Sequence, residues 1–526
     1  MTDPLLQQTL KGVFTLAAPE IALIGTACVV FLFGCVYNRR CLWFVVSLAG
    51  VGLAAVLAAT VPAPAPEVVT AAPLIPDGAA EFVRWVALIA AFVLLFVAWG
   101  EVERASGAEY FACLLVAVAG VSLVGRANDL ITLFLALELL SIPTYILLYL
   151  PARSKLSQEA AVKYFLLSVM SSAVMLFGFS YLYGLTGSTN LTVIADALTK
   201  AHADGGPRVA PNPMALLAAV MVIAAIGFRI TAVPFHFYAP DVYEGGPAGV
   251  VAQLAFFPKV AGFVALARVF GLLGADARNL PFDANTQVPL LLWILAVMTM
   301  CLGNMLALLQ DNVRRMLAYS SVAHGGYMLM GVVVASSLPD ARSTPNVGGI
   351  DAVLVYLVAY GMMTVGAFAL ILFLSTPERP VESIDDLAGL GQTNPVSAGA
   401  MAVFMFSLIG LPLTAGFAGK FLLFVGAFSA PTDSPVMRNL YEVMAIFAAV
   451  NAAVGAYYYL RVVGVMYLRT PIRQATTSRA VPTFLAALAL AGATLYFGVY
   501  PEPIARAARK AAPVPTVPAK ATADAR

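Results

Sequence analysis

The sequence predicts an all-α polytopic membrane protein with about fourteen transmembrane helices. Of its 526 residues, 61% are hydrophobic and 11% are charged, and the mean hydropathy is +0.88. Apolar runs recur along the chain, and a helix of about 20 apolar residues crosses a hydrocarbon core of about 30 Å. Segments of alternating polar and apolar residues, typical of membrane strands, are absent. The composition therefore excludes an ordinary soluble enzyme and favours a helical bundle over a β-barrel.

Fourteen apolar runs define the candidate spans, and linkers with turn residues separate them. The segment MTDPLLQQTL before the first run is neither basic nor apolar, so no cleavable signal peptide is predicted. The Ala-, Pro- and Lys-rich residues after Pro501 predict a mobile tail. The candidate spans are 16–37, 41–61, 82–100, 109–126, 128–150, 158–184, 213–233, 247–271, 288–309, 315–336, 350–375, 395–428, 440–468 and 480–500.

Basic residues are concentrated on one side of the membrane in this arrangement. By the positive-inside tendency that side is cytoplasmic, which places both termini outside. The basic residues Arg506, Arg509 and Lys510 run against this bias. The residues that carry the bias are Arg39, Arg40, Arg153, Lys155, Arg314, Arg315, Arg469, Arg473 and Arg479.

Two spans contain internal breaks. One reads IGFRITAVPFHFYAP, with Pro234 shortly after Arg229, and the other reads IGLPLTAGFAGKF, with Pro412 before Lys420. Both contain Ile-Gly followed by Thr-Ala at the same offset. Broken helices expose backbone groups and helix ends to a polar cavity, which is typical of transport sites. A simple proline kink is the alternative interpretation.

Charged residues lie inside or at the edge of five apolar stretches. An ionisable group at bilayer depth costs at least about 2.5–3.5 kcal/mol on insertion scales, so it is usually retained for a function. A row of such groups in one polytopic protein predicts a path for ions or protons. The alternative is a set of fixed ion pairs that hold the helices together. The residues are Glu138, Lys163, Arg229, Lys259 and Lys420.

These five residues differ in what they can do. Glu138 lies well inside its span, where a cationic partner is needed to keep it ionised. Lys259 directly follows Pro258, which opens the helix locally, and a desolvated lysine such as Lys259 or Lys420 can gain and lose a proton. Lys163 is close enough to a span end to extend to the interface. The Arg229 guanidinium stays protonated, so it tunes its neighbours and does not relay a proton.

Other polar residues offer weaker signals. His236 and His324 titrate near neutrality in the absence of perturbation, so both are candidates for a water or proton path, although a structural hydrogen bond is also typical. Asp241 and Glu244 are expected to be solvated or capping residues. The five cysteines form no CxxC pair, and no nucleotide, haem or iron–sulfur motif is present. We therefore expect no metal or cofactor in this chain.

Seven stretches between about residues 100 and 470 resemble the subunit N family of the bacterial proton-translocating NADH–quinone oxidoreductase (respiratory complex I). Subunits L and M and the related cation/proton antiporters carry a histidine-rich stretch before the lysine of the helix that follows the PFH segment. Here PDVYEGGPAGVVAQLAFFPK has none, which favours the N type. The stretches are ANDLITLFLALELLSIPTYIL, EAAVKYFLLSVMSSAVMLFG, AVPFHFYAPDVYEGGP, PKVAGFVAL, RRMLAYSSVAHGGYMLMG, GLPLTAGFAGKFLLF and AYYYLRVV.

The resemblance implies two inverted five-helix repeats, each with a broken helix. It divides the chain into N-terminal helices 1–3 (1–105), a first repeat of helices 4–8 (106–275), a second repeat of helices 9–13 (285–470), a final helix (471–502) and the tail (503–526).

The resemblance also implies roles for the charged residues. Glu138, Lys163, Lys259 and Lys420 would transfer protons, and Arg229 would tune charge at a position where the family usually has lysine. The implied partners are other membrane-arm subunits and the lipid of a bacterial inner membrane, without nucleic acid. NAD, FMN, iron–sulfur clusters and quinone would lie in the partner subunits. A stand-alone Na⁺/H⁺ antiporter and a purely structural subunit are the alternatives.

Overall fold

The computed structural model describes residues 11–37, 39–61, 72–102, 106–151, 154–203, 213–272, 287–336, 349–376, 379–430, 435–471, 478 and 480–512. Helices make up most of this part of the chain. They are α1 (Ala18–Gly34), α2 (Arg40–Thr60), α3 (Gly78–Ala98), α4 (Gly107–Arg126), α5 (Leu130–Tyr149), α6 (Lys155–Thr186), α7 (Leu191–Ala203), α8 (Pro213–Arg229), α9 (Ala239–Gly245), α10 (Ala248–Val269), α11 (Gln287–Leu308), α12 (Val313–Ser336), α13 (Ile350–Leu374), α14 (Leu390–Thr393), α15 (Pro395–Ile409), α16 (Ala415–Ser429), α17 (Pro435–Leu468), α18 (Val481–Val499) and α19 (Glu502–Ala511).

The helices confirm the predicted all-α membrane fold. Among the described residues, 11 helices are long and apolar enough to cross a membrane, and α1, α8, α15 and α16 are shorter apolar helices. Because α15 and α16 together make one interrupted crossing, these four add three crossings and bring the total to fourteen. Each crossing coincides with one predicted span. The division into numbered repeats with the boundaries given above stays a prediction.

Both predicted breaks are present. α8 ends at Arg229, and the chain turns through Thr231, which has a φ of +59°, before α9 begins. In the second interrupted span, α15 ends at Ile409, Gly410 has a φ of +91°, and Leu413 has a φ of +70°. A residue with positive φ ends a helix because it leaves the right-handed α conformation, which has a φ of about −63°. The carbonyl groups at these helix ends thus lose their intrahelical partners.

Two helices form the enclosed centre of the bundle. In the most apolar window of α10 every residue is buried, and in that of α12 the share is 94%. Outer helices such as α2, with 28% of its window buried, present most of their apolar side chains outward. Since a lipid-facing helix keeps an apolar surface, this difference separates helices that face lipid from helices that line the interior. Lys259 and His324 lie on the two central helices.

The end of the bundle that the basic residues predict to be cytoplasmic is called the basic face. Arg153, Arg473 and Arg479 lie outside the described residues. The other residues that carry the predicted bias lie at this end, and they are Arg39, Arg40, Lys155, Arg314, Arg315 and Arg469.

The structure corrects the predicted mobile tail for residues 503–511, because these residues belong to α19. Glu502 pairs with Arg509 at 3.1 Å on one side of this helix, while Ala508 and Ala511 are buried on the other. The alanine side packs against α3 and α13. A short amphipathic helix is therefore stabilised by packing that the Ala- and Pro-rich composition does not reveal. Residues 513–526 lie outside the described residues.

Candidate functional site

A buried ion pair joins α5 to the end of α8. Arg229 Nη2 lies 3.0 Å from Glu138 Oε1, and the side chains are 3% and 18% exposed. Arg229 also donates to Ser141 Oγ at 2.5 Å, and Ser172 donates to Glu138 Oε1 at 2.5 Å. The guanidinium fork holds the carboxylate and a hydroxyl at the same time, which fits the preference of arginine for buried pairs. Arg229 is therefore the cation that pairs with Glu138 inside the bundle.

The Lys259 ammonium lies at the first helix break and is 1% exposed. Its Nζ donates to the carbonyl of Ile230 at 3.3 Å, to Thr231 Oγ1 at 3.2 Å and to the carbonyl of Ser321 on α12 at 2.5 Å. Among the described residues, no carboxylate lies within ion-pair distance of Lys259. The Ile230 carbonyl follows the C-terminal end of α8, where backbone carbonyls carry partial negative charge, and together with Thr231 Oγ1 and the Ser321 carbonyl within α12 it takes the place of a counter-ion here.

Lys420 occupies an equivalent place at the second break. Its Nζ donates to the carbonyls of Leu408 and Ile409, each at 2.9 Å, and these residues end α15. The ammonium also lies 4.8 Å from the ring centroid of Tyr327, a favourable position over an aromatic face. Lys420 is 6% exposed, and it too has no ion pair in the described part of the chain.

His324 on α12 lies between the two lysines. Its ring centroid is 5.4 Å from that of Tyr360, the ring that Lys259 Nζ faces at 5.4 Å. On the other side it is 5.7 Å from Tyr327, the ring beside Lys420. A buried imidazole and its aromatic neighbours therefore connect the two ammonium groups.

Two tyrosine hydroxyl groups hold the imidazole. His324 Nδ1 lies 2.5 Å from the Tyr356 hydroxyl, and Nε2 lies 2.9 Å from the Tyr459 hydroxyl. Tyr459 in turn forms a hydrogen bond with Ser320. Since a neutral imidazole donates at one nitrogen and accepts at the other, and a hydroxyl does both, this chain can exchange its donors and acceptors.

The remaining sequence-predicted residues lie away from this interior group. Lys163 is 39% exposed and pairs with Glu159 and Asp241, both at 2.6 Å. His236 is partly exposed, and its ring centroid lies 6.5 Å from that of Tyr319. The structure thus brings Glu138 and Arg229 into contact and places His324 between Lys259 and Lys420, but it leaves Lys163 and His236 outside.

Sequence reasoning missed the role of Asp241 and Glu244 on α9. They are neither solvated nor simple capping residues, because Arg315 on α12 binds Asp241 at 2.9 Å and Glu244 at 2.6 Å. Together with Lys163, the network links α6, α9 and α12. The hydrogen bonds from Lys163 and Arg315 outweigh the opposing effect of burial and lower the pKa of Asp241. The nearby doublet Arg314-Arg315 was the available signal, because arginine is well suited to partly buried ion pairs.

The tyrosines around His324 were also missed, since an aromatic residue in an apolar span is usually core. Metal chemistry finds no support in the part of the chain that the structure describes, where no group of three or more His, Cys, Asp or Glu side chains could hold an ion. What the interior does provide is two cations at helix ends, a hydrogen-bonded imidazole between them and an ion pair beside the first break. Such an arrangement can carry protons or respond to charge.

Comparison with known proteins agrees with an interior arrangement that carries protons or responds to charge. A family model described as "NADH:quinone oxidoreductase/Mrp antiporter, TM" matches residues 127–443, a range that holds every group of the interior arrangement except Tyr459. The fold and the site thus define an antiporter-like transmembrane subunit. A solved structure of the Mrp complex from Dietzia has the same fold, with a TM-score of 0.77 at 20% identity over 94% of this chain and 96% of that chain.

More similar proteins narrow the family. The chain is 38% identical over 442 residues to NADH-quinone oxidoreductase subunit N from Trichlorobacter lovleyi, covering 83% of each chain. A chain of respiratory complex I from Thermus thermophilus is 29% identical, with a TM-score of 0.74 over 94% of this chain and all of that chain. The chain therefore belongs to the NADH-quinone oxidoreductase subunit N family. These relatives favour that assignment over the stand-alone antiporter.

Proposed function

We propose that the chain is a proton-translocating membrane-arm subunit of a bacterial NADH–quinone oxidoreductase. It sits in the inner membrane beside other antiporter-like and small membrane subunits, with the basic face toward the cytoplasm and both termini outside. NAD, FMN, iron–sulfur clusters and quinone belong to the partner subunits. The observation that carries the proposal is the pair of buried lysine ammonium groups, each held by uncharged oxygen atoms at a helix break.

The Glu138–Arg229 pair acts as the control element. It lies beside the first break. On α10, Gly262 follows Lys259 by about one turn, and a Cβ placed at Gly262 would lie 3.5 Å from Arg229 Cβ. A unit charge that changes at about 7–10 Å alters the energy of another by about 2 kcal/mol at an effective dielectric constant near 20. That energy exceeds the free energy of about 1.4 kcal/mol that corresponds to one pKa unit. A movement of Glu138 relative to Arg229 would thus change the charge state of Lys259.

From Lys259 the proton passes toward Lys420 along the interior group. His324 and its tyrosine hydroxyls provide donors and acceptors between the two lysines, with water completing the path. Lys420 then discharges to the side opposite the basic face. Lys163 stands at the basic face, where its pairing with Asp241 gives a titratable network at the uptake side of the path. His236 lies next to the first break and is a candidate anchor for water.

This proposal explains why Lys259 and Lys420 have no counter-ion in the described part of the chain. If the lysines were fixed structural cations, a carboxylate at each would be the expected partner, as Glu138 is for Arg229. When a lysine bound only to carbonyl and hydroxyl oxygens loses its proton, no unpaired carboxylate charge remains in the interior. Uncharged oxygen acceptors, which both lysines have, are therefore suited to reversible protonation.

The test is proton translocation by the assembled enzyme in inverted membrane vesicles. Lys259→Ala should reduce NADH-driven translocation by at least about tenfold, because a positioned proton-transfer group typically contributes 10²–10⁴-fold. Lys155→Ala is the matched control, since Lys155 is exposed at the start of α6 and should leave translocation unchanged. Translocation at full stoichiometry in Lys259→Ala would refute the relay and favour a structural subunit.

A further inference from the structure

An acid that the proposed path does not use caps the helix that carries Lys259. Glu101 lies between α3 and α4 at the basic face, and its Oε1 and Oε2 accept from the backbone N–H groups of Gly249 at 2.9 Å and Val250 at 3.1 Å. These are among the first N–H groups of α10, which have no partner within the helix. The residue that precedes the helix, Pro247, provides no side-chain cap. Glu101 therefore caps α10 although it lies 148 positions earlier in the sequence than Gly249.

The glycine at position 249 leaves room for this contact. A Cβ at Gly249 would lie 2.6 Å from Glu101 Oε2, so the carboxylate would have to move away. Because Gly249 lacks a Cβ, the carboxylate reaches the backbone directly. A carboxylate at a helix N-terminus is stabilised by the helix dipole as well as by the hydrogen bonds.

Few charged or titratable groups face Glu101 from the neighbouring helices. Tyr110 on α4 donates its hydroxyl to Oε2 at 3.4 Å, and Arg314 on α12 exerts an electrostatic attraction. Arg40 on α2 donates to the carbonyl of the next residue, Val102, at 2.9 Å. Arg314 is shared, since Glu244 and Glu382 attract it as well. The contact between Glu101 and α10 is therefore made by hydrogen bonds to uncharged groups, without a direct ion pair in the described residues.

The charge of Glu101 changes near neutral pH. Burial raises the pKa of Glu101 to about 7, although the two backbone hydrogen bonds and Arg314 act in the opposite direction. Above this pH the carboxylate is ionised and caps α10 with charge-assisted hydrogen bonds. Below it, one oxygen becomes a hydroxyl, and one of the two N–H groups loses its acceptor.

We propose that Glu101 is a positioning residue that couples proton uptake at the basic face to the placement of α10, and through it to Lys259. Lys259 lies ten residues after Gly249 on the same helix, about 15 Å at 1.5 Å per residue. α10 is buried along its whole length, so a change at its N-terminus is transmitted through packed neighbours. This inference rests on the proposed role of Lys259 in proton transfer.

The experiment uses the intact enzyme complex and two readouts. The variants are Glu101→Gln, which imitates the neutral acid, Glu101→Asp, which keeps a titratable group, and Glu109→Gln as control. Glu109 lies on α4 one residue from Tyr110 and makes no hydrogen bond to α10 in the described part of the chain. The first readout is hydrogen exchange of peptides that cover residues 246–255, compared with the parent at pH 8 and at pH 6. The second is the number of protons translocated per NADH at the same pH values.

At pH 8 we expect exchange in Glu101→Gln to be about two- to fivefold faster than in the parent, given the usual strength of a charged cap. At pH 6 the difference should shrink, because the parent is then protonated as well. The protons translocated per NADH should change with pH in the parent and in Glu101→Asp but stay flat in Glu101→Gln. Glu109→Gln should match the parent in both readouts.

Three outcomes would overturn the inference. Equal exchange at pH 8 would show that Glu101 does not cap α10, and the same difference at both pH values would show that the cap is not titrated. Altered exchange with an unchanged pH profile of translocation would show that the cap does not act on Lys259. In each of these cases the proposed function stands or falls separately, by the loss of translocation in Lys259→Ala.

Discussion

The two helix breaks each hold a lysine at a helix C-terminus, but they hold it differently. Lys259 has three oxygen acceptors, and they come from the first break and from α12. Lys420 has two, and both are the last carbonyls of α15, the first half of its own interrupted span. Lys259 therefore connects three segments, while Lys420 closes a single break.

This difference has a consequence for proton release. An ammonium has three N–H donors and an amine has two. When Lys259 loses its proton, one of its three acceptors loses a hydrogen bond in a buried site, which is costly. When Lys420 loses its proton, its two carbonyl contacts can both remain. The first site is thus expected to hold its proton more firmly than the second. Transfer from Lys259 to Lys420 therefore needs the proposed change at the Glu138–Arg229 pair to drive it, and release is expected at Lys420.

The largest effect expected from this comparison follows replacement of each lysine by methionine, which keeps the length of the side chain. Lys259→Met should reduce proton translocation by at least about tenfold, and Lys420→Met should reduce it by about three- to tenfold. Both variants remove a proton-transfer group. Only Lys259→Met also removes the hydrogen bond between α10 and α12. The measurement is dye-detected acidification of inverted vesicles at a fixed rate of NADH oxidation.

Equal losses in the two variants would show that the number of acceptors does not distinguish the sites. A larger loss in Lys420→Met would reverse the direction that we infer. The exposed lysine Lys155 again serves as control, with Lys155→Met expected to behave as the parent does.

A smaller effect is expected at Arg229, which lies at the same helix end as Lys259 but has a true counter-ion. Arg229→Lys should retain translocation within about threefold, because an ammonium keeps the charge opposite Glu138 and loses only the forked hydrogen bonding. Arg229→Gln should lose much more, since it leaves the Glu138 carboxylate buried without a cation. The comparison is made as translocation rate in the same vesicles.

Near-complete loss in Arg229→Lys would show that the position requires a cation that cannot release its proton. Full activity in Arg229→Gln would show that the ion pair does not control Lys259. Ser141→Ala provides a control at the same guanidinium, because it removes one hydrogen bond of Arg229 and leaves the charge pair intact.

The sequence predicts the fold better than it predicts the site. Spans are read from apolar runs of sufficient length, and the breaks from Pro and Gly within such runs, because both signals are local. The pairing of Glu138 with Arg229 joins residues 91 positions apart, and only the charge of each pointed to it. Two of the three acceptors of Lys259 are backbone carbonyls, which no side-chain pattern can reveal.

Other parts of the site depend on tertiary contacts between ordinary residues. Tyr356 and Tyr459 come from α13 and α17 and meet at His324, yet in the sequence each is one aromatic residue among many. Glu101 lies between two apolar runs, and nothing in the sequence indicates its contact with Gly249, 148 positions away. Lys163 was expected to lie close enough to a span end to extend to the interface, and its ion pairs with Glu159 and Asp241 are in a partly exposed network.

The smallest expected effects come from two glycines that border the two lysines. A Cβ at Gly325 would lie 3.0 Å from the Ile230 carbonyl oxygen and 3.2 Å from Lys259 Nζ, whereas at Gly410 it would lie 3.1 Å from Lys420 Cδ. Gly325→Ala crowds the ammonium and one of its acceptors, so we expect translocation to fall about twofold, the result of losing part of one hydrogen bond.

Gly410→Ala meets a flexible methylene of Lys420, but Gly410 has a φ of +91°, which costs an L-residue about 1–2 kcal/mol. It should therefore lower the thermal stability of the complex and leave the translocation rate per assembled enzyme near that of the parent. The reverse pattern, with lower stability in Gly325→Ala and lower translocation in Gly410→Ala, would show that the geometry of the second break, rather than the number of contacts at the first, sets the rate.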